Sequence, residues 1–423
     1  MRSIKHSRTI GLWTRIGSRL TEWIGGLLLT SPKWGALSIT FPNGKIKILG
    51  NKNSKRIAYI KLNNFKLFNK IRKRGTLGFA SAYMSGDIES DDLTFLFRFF
   101  LKNRDIFDQA GKGWVRRAAH DLTYHLSRAN SKEKARENIS EHYDLGNDFY
   151  SLWLDPSMTY SSAFFENENQ TLEQAQIAKY HKVADLAGIT AGVSGKRAKR
   201  VTATNKKTSS VFEIGCGWGG FAEIVAKDYQ ANIYGISLSK QQLKYSKARI
   251  KRLGLGNSTS FHFEDYRDSV GQFDCVCSIE MIEAVGQEHW PAYFRAVHDL
   301  LKPNGLAAIQ AITINESSFI DYKKAPDFIQ RYIFPGGMLL TKQAMYEQGK
   351  KAGLKLEQSV NFAKSYAKTL ALWRENFIKQ WPKIKELGFD EEFKRKWIYY
   401  LSYCEAGFDD GVIDVGIYQY RRV

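Results

Sequence analysis

The sequence predicts a doubly wound α/β sheet preceded by a smaller, basic α+β domain. Three observations predict this class. After residue 211, short apolar runs alternate with helix-length segments. Residues 36–70 alternate apolar and polar side chains between turn signals, and the positive charge is concentrated in the first third of the chain. With 423 residues, 43% of them hydrophobic, the chain is long enough for two domains.

The charge asymmetry predicts a large anionic partner for the first domain. Residues 1–130 contain 24 Lys and Arg against 8 Asp and Glu, and carry +16 of the formal net charge of +20. Such a domain fits either a membrane surface or nucleic acid. Within it, residues 10–28 space Ile, Leu and Trp by three and four, with Arg15 and Arg19 interleaved. That spacing is typical of an amphipathic helix, either at a lipid interface or packed on its own domain.

The domain boundary is expected at residue 130. Residues 85–130 have a helical pattern, and a charged connector near Ser131–Arg136 leads into a second domain over 131–423. The longest apolar stretches are too short and too interrupted by glycine to cross a bilayer, and no export signal is visible. We therefore expect a cytoplasmic protein.

The second domain has the order of elements of a doubly wound sheet, whose ligands bind at the carboxyl ends of its strands. One polar stretch, residues 192–210, lacks periodicity and is predicted to be a flexible basic insertion. The expected strands are Val211–Ile214, Asn232–Ile236, Ser260–Phe263, Asp274–Ile279 and Leu306–Ile312, and the expected helices are Gly219–Tyr229, Lys240–Leu253 and Gln287–Leu301.

The four cysteines lie far apart or, at Cys275 and Cys277, as C-x-C in an apolar run, which suits neither a disulfide framework nor a tetrahedral zinc site; this indicates a reducing compartment and predicts no metal. Cys216, Cys275 and Cys277 are interpreted as small buried apolar groups.

A glycine-rich turn after the first of these strands predicts a cofactor site. Gly215, Cys216, Gly217 and Gly219 follow Glu213 and run directly into a helix. Glycines at these positions let the backbone approach a ligand closely. A carboxylate at the strand end suits the amino group of a methionine moiety, whereas the pyrophosphate of a dinucleotide would avoid it. The motif therefore favours an S-adenosylmethionine (SAM) site of the methyltransferase type.

Other positions complete this predicted site. The second strand lacks the terminal acidic residue that usually binds a ribose, so Ser237, Leu238 and Gln242 are expected to replace it. Asp265 and Tyr266 follow the third strand and are expected at the adenine, although Asp265 could instead cap a turn.

Five ordered motifs make the chain similar to cyclopropane-fatty-acyl-phospholipid synthases over about residues 136–423. They are EHYDLGNDFY at 141–150, MTYSSA at 158–163, GCGWG at 215–219, EMIEAVG at 280–286 and YIFPGG at 332–337. The resemblance implies a Rossmann-like class I SAM-methyltransferase sheet with helical additions around a lipid pocket, in which Tyr160 and Ser161 also bind the cofactor. It implies transfer of a methylene from SAM to the cis double bond of an unsaturated phospholipid acyl chain, with S-adenosylhomocysteine (SAH) as the second product.

The resemblance also implies a bound bicarbonate as the catalytic base. Glu283, Tyr366 and the backbone of Ile312 match the family positions that hold it. Where many bacterial members have Cys and His, this chain has Ser162 and Gln310, and both can still hydrogen-bond an anion. Cys404 aligns with a cysteine often labelled as the active site, but a thiol nucleophile has no step in this reaction, so we interpret it as pocket lining.

The reaction passes through a carbocation that must be shielded from water, so an aromatic pocket is expected. The candidates, each of which could equally be core, are Phe164, Phe165, Phe328, Tyr332, Phe334, Trp373 and Phe377.

The resemblance places the first domain on an anionic phospholipid bilayer, as a peripheral protein at the inner face of the cytoplasmic membrane. Family members are often dimers, so a homodimer is a further expectation. Three alternatives remain: C-methylation of the acyl chain without ring closure, N-methylation of a small amine, and SAM-dependent modification of nucleic acid. No recognised nucleic-acid module occurs in the sequence, and we expect no nucleic-acid partner.

Overall fold

The computed structural model describes residues 32–106, 145–189, 208–324 and 326–423. Contacts divide the chain into two units, Met1–His120 with Glu391–Ala406, and Asp121–Asp390 with Gly407–Val423. The expected boundary at residue 130, the amphipathic helix at 10–28 and the charged connector lie outside the described residues. The expected division was wrong in one respect, because residues 391–406 belong with the first unit.

The first unit contains a four-stranded sheet in the order β2-β1-β3-β4. Strand β1 pairs antiparallel with β2 across the turn at residues 42–44 and parallel with β3. The predicted β-rich module is confirmed up to residue 62, whereas residues 66–70 begin a helix. The elements are β1 Ala36–Thr40, β2 Ile46–Gly50, β3 Ile57–Leu62, α1 Lys66–Met84, β4 Ile88–Glu89 and α2 Leu93–Lys102.

Aromatic packing explains why residues 391–406 join this unit. The Asp92 side chain caps α2 by accepting a hydrogen bond from the backbone N–H of Phe95 at 2.8 Å. On the buried face of α2, the ring of Phe97 packs edge-on against Tyr399 with centroids 4.9 Å apart. The Thr94 hydroxyl donates to the carboxylate of Glu405 at 3.0 Å. A helix distant in sequence thus completes the core of the first unit.

The second unit contains a seven-stranded sheet in the order β10-β11-β9-β8-β5-β6-β7. The predicted doubly wound sheet is confirmed, and each of the five expected strands is present within a few residues of its expected bounds. The strands are β5 Ser210–Ile214, β6 Asn232–Ser237, β7 Thr259–Phe263, β8 Phe273–Ile279, β9 Leu301–Ile314, β10 Leu354–Asn361 and β11 Ile413–Arg422.

Helices surround this sheet, and the three that the sequence predicts are confirmed as α5, α6 and α7. The helices are α3 Asn147–Ser151, α4 Leu172–Leu186, α5 Gly220–Asp228, α6 Lys240–Arg252, α7 Trp290–Leu300, α8 Glu316–Tyr322, α9 Phe328–Tyr332, α10 Lys342–Lys351, α11 Ala363–Lys379, α12 Trp381–Glu386 and α13 Glu391–Asp410. Within the described ranges, none of the helices combines the length and the apolar character that a bilayer crossing needs.

The predicted basic insertion at 192–210 lies mostly outside the described residues. Ser210 at its end is wrongly included, because its N–H and hydroxyl both bond the Asp274 carboxylate, at 2.9 and 2.8 Å, which fixes it as the first residue of β5. The buried state of Cys216, Cys275 and Cys277 is confirmed.

The strand order places the functional ends of three strands together. Strand β5 pairs in parallel with β6 on one side and with β8 on the other. In this register Glu213 lies between Gly235 and Cys277. Parallel strands end at the same edge of a sheet, so the residues that follow β5, β6 and β8 converge there.

Candidate active site

A pocket opens at the carboxyl ends of β5, β6, β7 and β8. Its empty space is about 1160 Å³, part of it open to solvent. Eleven of the twelve residues predicted to bind the cofactor line this pocket: Tyr160, Ser161, Glu213, Gly215, Cys216, Gly217, Ser237, Leu238, Gln242, Asp265 and Tyr266. The structure therefore brings together residues from four separate parts of the sequence.

Glu213 is an unpartnered buried acid in the pocket wall. Its side chain is 2% exposed, and among the described residues Oε2 has no hydrogen-bond partner. Burial raises the pKa of this carboxyl to about 8, against the opposing attraction of Lys179. An acid held in this way needs a cationic ligand, and the ammonium group of SAM fits that need.

The glycine turn is shaped for close approach. Gly215 has φ +83°, and a Cβ there would lie 3.0 Å from the Cγ of Met281, which also lines the pocket. Gly219, the predicted residue that does not line the pocket, begins α5 with φ +81°. A Cβ on Gly219 would lie 3.0 Å from that of Ser246, so this glycine serves helix packing.

The expected ribose and adenine residues already hydrogen-bond to protein neighbours. The hydroxyl of Ser237 donates to the side-chain oxygen of Gln242 at 3.1 Å. Asp265, 2% exposed, accepts two bonds from the Arg267 guanidinium at 2.8 and 2.6 Å, and a third from the Arg267 N–H at 3.0 Å. Arg267 was absent from the sequence-based site, although it lies two residues from Asp265 and lines the same pocket.

Aromatic rings surround Tyr160 at one side of the pocket. Its ring centroid lies 5.3 Å from Trp373, 5.7 Å from Trp153 and 6.4 Å from Phe334. Two of the seven aromatic candidates, Trp373 and Phe334, are therefore beside the site. The others pack elsewhere, such as Phe164 against Phe362 at 5.2 Å.

The predicted catalytic residues converge on an acid that the sequence analysis did not select. Glu280 follows β8, lines the pocket and has φ +49°. Its Oε2 accepts from the Tyr366 hydroxyl at 2.6 Å. Its Oε1 accepts from the Gln310 side-chain amide at 2.7 Å and from the Ser162 backbone N–H at 2.8 Å. These three residues were all predicted, but as ligands of a bicarbonate.

Glu283 lies beside the backbone of Ile312, its predicted neighbour in the bicarbonate site. It is absent from the pocket lining, and its Oε1 accepts from the backbone N–H of Ile312 at 2.5 Å. Burial, together with the negative charge of Glu280, raises the pKa of Glu283 to about 8. At neutral pH Glu283 is therefore mostly protonated.

In the structure the donors predicted to hold bicarbonate meet two carboxyl groups, and the bicarbonate base stays a prediction. The donors of Tyr366, Gln310 and Ser162 meet Glu280, and the Ile312 N–H meets Glu283. The Ser162 hydroxyl donates instead to the Ala163 carbonyl at 2.9 Å. Glu280 thus places a carboxylate, which has a shape similar to bicarbonate, among the donors that were predicted to hold the ion.

Cys404 lies in the part of α13 that belongs to the first unit, and it is half-buried. Its role as pocket lining stays a prediction.

The sequence contained a signal for Glu280. It is a carboxylate at the carboxyl end of a parallel strand, the position at which ligands bind in such sheets. Trp218 was also missed, although it stands inside the glycine motif. Its indole N–H donates to the Asn147 side chain at 2.8 Å, which joins the glycine turn to the 141–150 motif.

Comparisons with known proteins agree with this site. The family model for mycolic acid cyclopropane synthetase matches residues 130–418. The tuberculostearic acid methyltransferase UfaA1 of Mycobacterium tuberculosis is 37% identical over 84% of this chain and 81% of its own length. The cyclopropane-fatty-acyl-phospholipid synthase of Escherichia coli K12 is 32% identical over 84% of this chain and 86% of its own length.

Solved structures show the same fold. The cyclopropane synthase MmaA2 from Mycobacterium tuberculosis and the mycolic acid cyclopropane synthase CmaA1 complexed with SAH each superpose with a TM-score of 0.60 at 28% identity. Each comparison covers 68% of this chain and 98% of the solved chain. The matched family model, these relatives and the pocket lead to one conclusion: the chain belongs to the mycolic acid cyclopropane synthetase family and is a SAM-dependent methyltransferase.

Proposed function

We propose that this enzyme transfers a methylene from SAM to the cis double bond of an unsaturated phospholipid acyl chain, forming a cyclopropane ring, and that Glu280 is the base. The observation that carries the proposal is the position of Glu280. It is a buried carboxylate in the wall of the cofactor pocket, held by three donors from three separate elements.

The chemistry requires a base at that place. SAM supplies an electrophilic methyl group, and attack by the alkene leaves a cation on the chain. Loss of a proton from the added methyl then closes the ring, so the balance is one SAM and one alkene giving one cyclopropane, one SAH and one proton. A base that accepts this proton needs a pKa near the working pH.

Glu280 meets that requirement through opposing influences. Burial raises the pKa of Glu280, which strengthens it as a base. Hydrogen bonds from Tyr366, Ser162 and Gln310, and the charge of Lys179, act in the opposite direction and keep the anionic form accessible. The ring of Tyr160 lines the pocket and can offer a π face to a cation on the chain, and the buried rings of Trp153 and Trp373 pack against it.

The test is mass spectrometry of lipid products. Purified protein is incubated with SAM carrying a CD3 methyl and with vesicles of monounsaturated phosphatidylglycerol and phosphatidylethanolamine. Two retained deuteriums in a product that resists hydrogenation support the ring. Two deuteriums in a product that is hydrogenated indicate an exocyclic methylene, and unlabelled lipid despite SAM turnover refutes a lipid substrate.

The base is tested separately with Glu280→Gln and with bicarbonate. We expect product formation to fall by roughly 10²- to 10⁴-fold in the variant, the usual contribution of a positioned base. Glu357→Gln, at a partly exposed ion pair with Arg421, is the matched control and should keep wild-type activity. A rate that falls in bicarbonate-free buffer and recovers when bicarbonate is added would assign the proton to that ion instead.

A second product has support from a specific observation. UfaA1, at 37% identity, is named a tuberculostearic acid methyltransferase. A base beside the cation can remove a proton from the added methyl or from the neighbouring chain carbon, and the second route gives a methyl branch without a ring. Three retained deuteriums in the assay above would select this route.

The membrane partner is also part of the proposal. Residues 1–130 carry a net charge of +16, which favours an anionic bilayer surface and gives the enzyme access to phospholipid at the inner face of the membrane. Sedimentation with phosphatidylglycerol vesicles should fall steeply with added salt, because the attraction is screened. Equal binding to phosphatidylcholine vesicles would contradict this.

A further inference from the structure

A lysine behind the pocket is buried without contacting solvent. Lys179 lies on α4 and is 0% exposed, which is rare for a lysine. Its Nζ donates to the hydroxyl of Ser161 at 2.6 Å and lies 4.3 Å from the centroid of the Tyr180 ring. Burying this cation costs free energy, so its neighbours must compensate for the loss of water.

The face of α4 that carries Lys179 hydrogen-bonds to residues 159–161 at several points. One turn earlier, the side-chain amide of Gln176 donates to the backbone carbonyl of Ser161 at 2.8 Å. The Tyr180 hydroxyl hydrogen-bonds the Thr159 hydroxyl at 2.7 Å. Three neighbouring residues of α4 thus hold the segment 159–161, all of which lines the cofactor pocket.

The segment connects the lysine to the proposed base. Ser161 bonds Lys179, and the next residue, Ser162, donates its N–H to Glu280 at 2.8 Å. The charges agree with this link. Burial lowers the pKa of Lys179 to about 8, and the acids that oppose this are, in order, Glu280, Asp155 and Glu213. All three acids favour the charged form of this lysine.

We propose that Lys179 is a positioning residue, which fixes the 159–162 segment against the pocket and whose positive charge favours the anionic form of Glu280. This inference rests on Glu280 being the base. Glu280 also faces the Tyr366 hydroxyl and the acid Glu283. Without the lysine, the pKa of Glu280 would rise further, so less of the group would be in the anionic form that accepts the proton.

The test measures Glu280 itself, so it does not depend on lipid turnover. The ¹³Cδ signals of labelled glutamates are titrated by NMR, and Glu280 is assigned by its loss in Glu280→Gln. In Lys179→Met, the midpoint of Glu280 should rise by about 1 to 3 pH units, the usual effect of removing a nearby opposite charge. The pH at which the rate of lipid product formation falls on acidification should rise by the same amount.

Matched variants separate charge from structure. Gln176→Met removes the other side-chain bond to Ser161 but no charge, and should move the midpoint by less than about 0.3 units. Lys179→Arg keeps the charge, so its Glu280 titration midpoint should stay close to that of the wild type. An unchanged midpoint in Lys179→Met, or an equal shift in Gln176→Met, would overturn the proposal.

A second variant covers the case in which Lys179→Met fails to fold. Ser161→Ala keeps the lysine but releases its Nζ, and should raise the Glu280 midpoint by about half a unit or more. An unchanged midpoint there would also overturn the inference. If the midpoints shift as expected but no lipid product forms, the proposed function fails while the electrostatic link stands.

Discussion

Removal of the Glu213 charge should abolish a proton release that accompanies cofactor binding. Glu213 is buried with an unpartnered Oε2 in the described structure, and its pKa is raised to about 8. At pH 6 only about 1% of this group is ionised in the free protein. The ammonium of SAH favours the ionised form, so binding must expel a proton from Glu213.

The size of the effect follows from that pKa. Below about pH 7 the ligand ammonium stays protonated, and the affinity for SAH should rise about tenfold for each pH unit between 5.5 and 7. Glu213→Gln loses a charge-assisted hydrogen bond worth roughly 1.5–3 kcal/mol, or about 10- to 150-fold in affinity at pH 7. The variant's affinity should also become independent of pH over this range.

The assay is titration calorimetry with SAH in two buffers of different ionisation enthalpy, which counts the protons released. Close to one proton per SAH is expected at pH 6.5 for the wild type and none for Glu213→Gln. Glu357→Gln, outside the pocket, should behave as the wild type. Heats that are the same in both buffers for the wild type, or a slope with pH that survives in the variant, would refute the reasoning.

Three further predictions concern the base and the fold. Tyr366→Phe removes the 2.6 Å hydrogen bond to Glu280, so the pH at which the rate falls on acidification should move higher while SAH affinity is unchanged. A rate lowered equally at all pH values would contradict this. Asp274 is partly buried, but its bonds to Lys302 and Ser210 lower its pKa to about 2, so the stability that it contributes is full above the unfolded pKa and is lost as pH falls through about 2. In urea titrations, Asp274→Asn should therefore lower the free energy of unfolding by about 1–2 kcal/mol at pH 7 and by much less at pH 2. Gly349→Ala would place a Cβ 2.5 Å from the Tyr420 ring, so the free energy of unfolding should fall by about 1–3 kcal/mol while SAH affinity is unchanged. An unaltered melting temperature would show instead that the ring can move.

The predictable part of the fold is the part with strong local patterns. Most of strands β5 to β9 are apolar, and helices separate all of them except β7 and β8, so their order and near bounds could be read from the sequence. Strand β10 was missed because most of its residues are exposed or half-buried and its pattern is polar. The helix α1 was missed because its basic residues and Gly75 obscure its periodicity.

The candidate site was predictable where a motif fixes the backbone. The glycine turn and Glu213 were placed correctly, because their function depends on local geometry. The strand-end position of Glu280 was visible in the sequence, but the sequence does not show which of Glu280 and Glu283 meets the predicted donors, since the two acids are three residues apart in one motif. Their roles depend on which donors the distant residues Tyr366 and Gln310 present.

The discontinuous first unit has a consequence for how the protein is made. Its core includes Tyr399, which packs on Phe97, although about 300 residues of chain separate them. During synthesis the N-terminal segment therefore cannot complete its core, and its aromatic face stays uncovered until nearly the whole chain has left the ribosome. A nascent chain stopped before Glu391 should be cleaved readily by protease near Phe97, whereas one extended past Ala406 should be protected.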